Sequence, residues 1–355
     1  ARDGRPLALE CLAAELMTET LGAKAGQPCK VAADLLVVRP AMAVSGSLDK
    51  TLRVWDLEDM TCIGALEGHQ KSVNAVSVDF AASRAVSASD DNSLRLWDLR
   101  TMTCCGCLDG HGHHVQAVSA DFEAGRAISG SADFTLRVWD LEATCYLGVL
   151  EGHRDAVVAV QGDFGAERAL SGSWDCSLRL WNLASMTCMA KLTGHDRRVL
   201  AVSADFQALR AISGSQDSTL RVWDLEALTC VGSLGLLQGG HGGSVTAVSA
   251  DFGAGRAVSG SSDHSVCLWD INEMTCLRMV EASRSAVFAV ALDMKALRAL
   301  SACRMGLLRL WDLQNMSSPA ELEGHESDVR CVSMCFNRDA VGSGSMSRGV
   351  VPEKK

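Results

Sequence analysis

Short apolar runs broken by turn residues fill the chain, and one stretch displays the pattern in full. Cys62–Leu66 is a five-residue run that ends at Gly68-His69. Val73–Phe80 follows, then a turn at Ala81–Ser83, the run Arg84–Ser89, a tight turn at Asp90–Asn92, and Ser93–Trp97. Runs of this length, rich in Val, Leu and Ser and separated by Asp, Asn and Gly, predict four short antiparallel strands joined by hairpins. Such a sheet is apolar on both faces and cannot stand alone in water. It needs neighbours stacked on either side.

The unit recurs along the chain. Trp-Asp pairs stand at Trp55, Trp97, Trp139, Trp223, Trp269 and Trp311, and Trp181-Asn182 is a near-identical seventh. Their spacings are 42, 42, 42, 42, 46 and 42 residues. Gly-His pairs end at His69, His111, His153, His195, His241 and His325, and each of the first five histidines precedes its Trp by 28 residues. A period in the low forties, opened by Gly-His and closed by Trp-Asp, resembles the WD-repeat family across residues 17–351. The resemblance implies an all-β propeller of four-stranded antiparallel blades that presents loops to partner proteins.

Two repeats keep the register but lack one signature. The first has Gly26-Gln27 where Gly-His belongs, followed by Ser45, Asp49 and Trp55. The last has Gly324-His325 and Ser343-Gly344-Ser345, with Glu353 where Trp belongs. Counting both favours eight blades; seven, with a displaced degenerate terminal repeat, is the alternative. The resemblance also implies that the opening strand of a repeat finishes the preceding blade. Met17–Leu21, which is like Met60-Thr61-Cys62, is then expected to complete the C-terminal blade and close the ring. Residues 1–16 form an extension in which Pro6–Met17 suit a short helix begun by proline, and 352–355 form a tail.

Five repeats carry the same polar set: His69, Ser87, Asp91 and Trp97; His111, Ser129, Asp133 and Trp139; His153, Ser171, Asp175 and Trp181; His195, Ser213, Asp217 and Trp223; His241, Ser259, Asp263 and Trp269. A Ser-His-Asp group suggests a catalytic triad, but a triad needs one exposed nucleophile and one oxyanion site. Five copies around a ring point to structure instead. Asp in the tight turn accepts from one imidazole nitrogen, while Ser bonds the other and the Trp Nε1. The seventh Trp repeat loses both ends of this set together, with Ala282-Ser283 for Gly-His and Met305 for Asp. Joint loss is what a paired network predicts, because a lone buried partner is penalised.

Composition narrows the function. The chain is 48% hydrophobic and 21% charged, with no apolar run long enough to span a membrane. A net charge of −10 argues against a duplex nucleic-acid binder. Of fifteen cysteines, Cys62, Cys104, Cys145, Cys188, Cys230 and Cys276 read as one recurring position, too far apart on adjacent blades to bridge. Unpaired thiols in such number, with no secretory signature in residues 1–16, point to a reducing compartment, the cytoplasm foremost. The chain does not begin with Met, as expected of a fragment or a processed form. Cys104 and Cys107 form a C-x-x-C on a predicted strand, where they face opposite sides, so no metal is expected. No cofactor motif is present. Asp79/Arg84, Asp121/Arg126, Asp163/Arg168, Asp205/Arg210 and Asp251/Arg256 bracket one short turn and are expected to pair across it.

These features point to a non-catalytic scaffold for partner proteins within a multiprotein complex. A substrate- or signal-recognition module of a larger assembly, such as a ubiquitin ligase or a nucleotide switch, is the alternative. A catalytic or sugar-binding propeller would need a single polar cluster or an aromatic-rich pocket, and aromatic residues are 5% of the chain. The binding face is expected where the repeats vary, between each Gly-His and the next Val. Lys71, His113, His114, Arg154, Arg197 and Arg198 lie there. The residue before each turn Asp belongs to the same face: Trp174, Gln216, and Arg304 in the repeat that lost its Asp. Trp174 is the one Trp outside the repeat series. With the nearby arginines and an insertion at Gly235–Gln238, it suggests a site for an acidic or phosphorylated segment with an apolar anchor.

Overall fold

The computed structural model describes residues 41–336. Blade 4 shows how the local pattern becomes a sheet. Val157–Asp163, Arg168–Ser173, Ser177–Asn182 and Thr187–Thr193 pair antiparallel in chain order, each joined to the next by a short turn. The first of these strands lies innermost, against the first strands of the blades on either side. Blades 2, 3, 5, 6 and 7 repeat the arrangement over residues 73–109, 115–150, 199–234, 245–281 and 287–322.

The ring contains seven blades among the described residues, not the eight favoured by counting repeats. Closure also runs the other way round. Val329–Cys335 joins Met42–Ser47, Leu52–Asp56 and Thr61–Leu66 to make blade 1, so a C-terminal strand completes the N-terminal blade. The physical reason is complementarity between two half-sets. The last repeat has Gly-His and an inner strand but no Trp, and the first has Ser45, Asp49 and Trp55 but no His. Spliced together they make one complete blade. Met17–Leu21, Pro6–Met17, Ser343–Ser345 and Glu353 lie outside the described residues, as do the outer limits expected for the propeller.

No blade contains a core of its own; the core lies between blades. Leu170, Leu178, Leu180 and Leu192 of blade 4 pack on Val199, Phe206, Ala211 and Trp223 of blade 5. The closing seam follows the same rule, with Leu300, Leu308, Leu310 and Leu322 of blade 7 against Ala43, Trp55, Leu57 and Val329 of blade 1. Close stacking explains the central residue of each Ser-Gly-Ser. A Cβ on Gly172 would stand 2.7 Å from Val199 Cγ1 of the next blade.

The face opposite the Gly-His loops departs from expectation. Asp79 and Arg84 are register partners, yet Asp79 Oδ1 accepts from Ala82 N at 2.8 Å and so caps its own turn. Asp121, Asp163 and Asp251 do the same with Ala124, Ala166 and Ala254. The arginines turn outward instead. Arg84 reaches Glu142 and Arg126 reaches Glu167, both at 3.1 Å and both on the next blade, while Arg256 pairs with Asp270 at 2.6 Å. A carboxylate beside free turn amides takes those first, because they are already in place and cost no side-chain entropy.

Blade 1 gives a direct test of the splice. His325 and Asp49 are bonded at 2.7 Å across 276 positions of sequence. In a double-mutant cycle, His325→Ala and Asp49→Ala should each cost about 1–3 kcal/mol, with strongly non-additive effects. Additive effects in chemical denaturation would place His325 outside blade 1.

Candidate functional site

The polar sets expected from the sequence form hydrogen-bonded chains from indole to carboxylate. In blade 4, Trp181 Nε1 donates to Ser171 Oγ at 2.8 Å, and Ser171 Oγ is bonded to His153 Nε2 at 2.8 Å. His153 Nδ1 donates to Asp175 Oδ2 at 2.9 Å; the carboxylate can only accept, so this nitrogen carries a proton. Blades 2, 3 and 5 have the same three contacts, at 2.7–2.8 Å, through His69, His111 and His195. Blade 1 has them through His325, Ser45, Asp49 and Trp55. This fifth complete set was hidden in the sequence because its members stand at opposite ends of the chain.

Asp175 does more than hold the imidazole. Its Oδ2 accepts from Arg154 N at 3.1 Å, and its Oδ1 accepts from Ser177 N and Oγ at 3.0 and 2.6 Å. One carboxylate therefore ties the Gly-His loop to the tight turn. Burial by itself would push this carboxyl up, but hydrogen bonds from His153, Ser177 and Arg154 outweigh it and hold the group well below 3.8, its ordinary value. Asp49, Asp91, Asp133 and Asp217 are held down in the same way.

Two blades differ. In blade 6, His241 Nδ1 bonds Ser265 Oγ at 2.7 Å and stands 3.5 Å from Asp263 Oδ1, so the expected direct pair is relayed through a hydroxyl. Asp263 turns to the amides of Gly242 and Gly243, and hydrogen bonds hold it at about 2 against the opposing effect of burial. Burial also lowers His241 from its ordinary value. Blade 7 keeps Trp311 Nε1 on Ser301 Oγ at 2.9 Å, but Ser283 bonds Ser285 in its own loop in place of the His–Asp end of the set. Met305 swings out to 82% exposure. A cavity of about 580 Å³ opens there, lined by Ser283, Arg284, Arg304, Met305, Arg309 and His325 among others.

A repeated backbone bond assembles the variable residues on this face. The residue before each turn Asp donates its N–H to the loop residue just before the inner strand of its own blade, as Trp174 does to Ala156 at 3.0 Å and Gln216 to Arg198 at 2.9 Å. Trp174 is half-buried, with the Arg198 guanidinium of the next blade 4.2 Å from its ring centre. Arg154 and Arg197 are exposed nearby in sequence, and the Gly235–Gln238 insertion forms a single 3₁₀ turn whose Leu237 is 96% exposed. The other expected residues are dispersed. Lys71 is exposed on blade 2; His113 and His114 stack at 4.3 Å, with His114 Nδ1 3.0 Å from Asp90; and Arg304 lies 3.7 Å from Asp328.

A contact between the third and fourth strands of a blade is not legible in the sequence. Arg53, Arg95, Arg179 and Arg221 point Nη1 at Cys62, Cys104, Cys188 and Cys230, at 3.2–3.8 Å. In blade 3 the matching position opposite Trp139 is Tyr146, not Cys145, and Arg137 lies 4.7 Å above the Tyr146 ring. The recurring cysteine series is therefore one member shorter than expected. Among the described residues, no group of three or more His, Cys, Asp or Glu side chains is arranged to hold a metal, and no helix is long and apolar enough to cross a membrane.

The networks make measurable claims. His153→Ala or Asp175→Ala should cost about 1–3 kcal/mol through the orphaned partner, whereas Ser283→Ala or Met305→Ala should leave the melting temperature nearly unchanged. Equal losses at the two places would refute the network's role. The depressed Asp carboxyls contribute stability that is complete above about pH 4 and lost as pH falls toward their folded-state values. Between pH 4 and 2 the wild type should thus lose more stability than Asp175→Asn, whose position cannot titrate.

Comparison with known proteins agrees with this geometry. The family described as "WD domain, G-beta repeat" matches residues 39–56, 60–98, 102–140, 144–182, 186–224 and 229–270, more than half of the chain. No curated protein matches it. Each of the five segments from 60–98 to 229–270 holds the His, Ser, Asp and Trp of one polar set, and the chain belongs to the WD-repeat family.

Proposed function

We propose that this propeller is a non-catalytic scaffold that holds partner proteins on its Gly-His face. It would work in a reducing compartment of the cell, most simply the cytoplasm. The carrying observation is the pairing of Trp174 with Arg198. It joins two neighbouring blades at the positions that vary on an otherwise repeated frame. An indole and a guanidinium held together form an amphipathic platform, and Trp and Arg are the residues most enriched at interface hot spots. Arg197 and Arg154 add positive charge on a chain whose net charge is −10. The preferred ligand is an extended segment that is acidic or phosphorylated and carries one apolar anchor. Exposed Leu236 and Leu237, one loop further round the ring, offer apolar surface for such an anchor.

The bonds of the Ser-His-Asp sets support the non-catalytic reading. Every Ser Oγ in the five complete sets is committed to a Trp and a His at 0% exposure, which leaves no free nucleophile.

A fluorescence-polarisation screen of phosphorylated and unphosphorylated acidic peptides, each with one Leu or Phe, tests the proposal. Binding should weaken with salt and fall at least about tenfold in Trp174→Ala/Arg198→Ala, with little change in melting temperature. Undiminished binding in the double variant would refute this site. A large drop in stability from Trp174→Ala alone would assign the indole to packing.

A further inference from the structure

Blade 6 breaks the arginine–cysteine pattern. Arg53, Arg95, Arg137, Arg179, Arg221 and Arg309 occupy the third strand of the other blades, two residues before Trp. Blade 6 has Cys267 there, and Cys276 stands at the matching place on the fourth strand. Cys276 is the register partner of Trp269, with a bulge between Leu268 and Trp269, so Cys267 and Cys276 share a sheet face. In blade 5 Arg221 Nη1 lies 3.7 Å from Cys230 Sγ, and in blade 6 Cys267 takes that arginine's place beside Cys276. Cys267 is fully buried and also lies 3.6 Å from His241 Nδ1, whereas Cys276 is half-buried and reachable from solvent.

We propose that Cys267 and Cys276 form an oxidation site, a vicinal dithiol across two strands that a hydroperoxide converts to a disulfide. The chemistry divides between the two sulfurs by access. The Cys276 thiolate attacks the peroxide, the O–O bond breaks, and a sulfenic acid forms while the departing oxygen leaves as an alcohol or water. The Cys267 sulfur then attacks the sulfenic sulfur. The S–S bond forms, the S–O bond breaks, and water leaves with the proton from Cys267. Overall, two thiols and ROOH give one disulfide, ROH and water.

The surroundings support these roles. A hydrogen bond from Cys267 stabilises the charged form of Cys276 and holds its thiol below the ordinary value. The same bond, together with burial, pushes Cys267 up and keeps it protonated until the second step. His241 Nδ1 donates to Ser265 Oγ, which in turn donates to Asp263, so this ring nitrogen is already committed and does not serve as the base. Blade 6 is also where the direct His–Asp bond is missing, so a new covalent link there would act on the most altered of the surviving networks.

Peptide mapping of the intact chain after hydrogen peroxide treatment provides the test. Cleavage at Arg256 and Arg278 gives a peptide spanning 257–278, in which Cys267 and Cys276 are the only cysteines. The expected product has lost two hydrogens, resists alkylation at both sulfurs and regains both on treatment with dithiothreitol. Cys267→Arg restores the side chain used by the other blades. It should abolish this product and raise dimedone labelling of Cys276 by about tenfold, because the sulfenic acid then has no resolving thiol. Cys276→Ser should give neither product. The proposal is overturned if exposed Cys104 and Cys105 are oxidised while the 257–278 peptide keeps two free thiols. It is equally overturned if dimedone labels Cys276 to the same extent in the wild type and Cys267→Arg.

Discussion

An imidazole shut away from water must find partners for both ring nitrogens, and an indole N–H in the same place must find an acceptor. An unmet group costs about 1–3 kcal/mol, more than a met one contributes. Five blades meet these needs by setting Trp, Ser, His and Asp in series. The His arrives on the loop from the previous blade, while the other three belong to the blade it enters. Each chain of bonds therefore fixes how one blade is entered from the last. The Asp end also gathers the amides of the Gly-His loop and the tight turn. Both loops are then held rigidly on one face, and the residues between the fixed points can vary without disturbing the frame. The Trp174–Arg198 pair sits on such a support.

Strand placement was legible because it depends on local alternation and turn chemistry. The second repeat predicts strands at Cys62–Leu66, Val73–Phe80, Arg84–Ser89 and Ser93–Trp97. The strands found are Thr61–Leu66, Val73–Asp79, Arg84–Ser89 and Ser93–Asp98. Blade number was less legible, since it depends on how two incomplete sets combine. Read one at a time, each terminal repeat looks like a blade with a lost signature. Counting partners decides it: Trp55 and Asp49 lack a His, His325 lacks an Asp and a Trp, and one blade satisfies all four.

Side-chain choices among equivalent partners were the least legible. Asp79 faces Arg84 in register yet bonds a turn amide, and the arginine crosses to another blade. The arginine–cysteine contacts depend on a bulge beside each Trp, which periodicity does not reveal. Trp174 stands out in sequence as a Trp without a repeat duty, but the guanidinium that covers it comes from the next blade.

Blade 1 is assembled from residues nearly three hundred positions apart, and this governs the order of events during synthesis. A chain emerging from the ribosome can stack blades 2 to 7 one upon another as each is completed. The strands at Met42–Ser47 and Leu52–Asp56 must meanwhile wait with one edge unpaired and Trp55 lacking its imidazole. Val329–Cys335 supplies both the missing edge and, through His325, the missing ring. Until then the nascent protein is an open arc with two sticky ends, able to close on itself or to capture the matching end of another copy. The same splice that locks the finished ring makes the unfinished one vulnerable to swapping, and dilution or a chaperone that shields the first edge would favour the closed monomer.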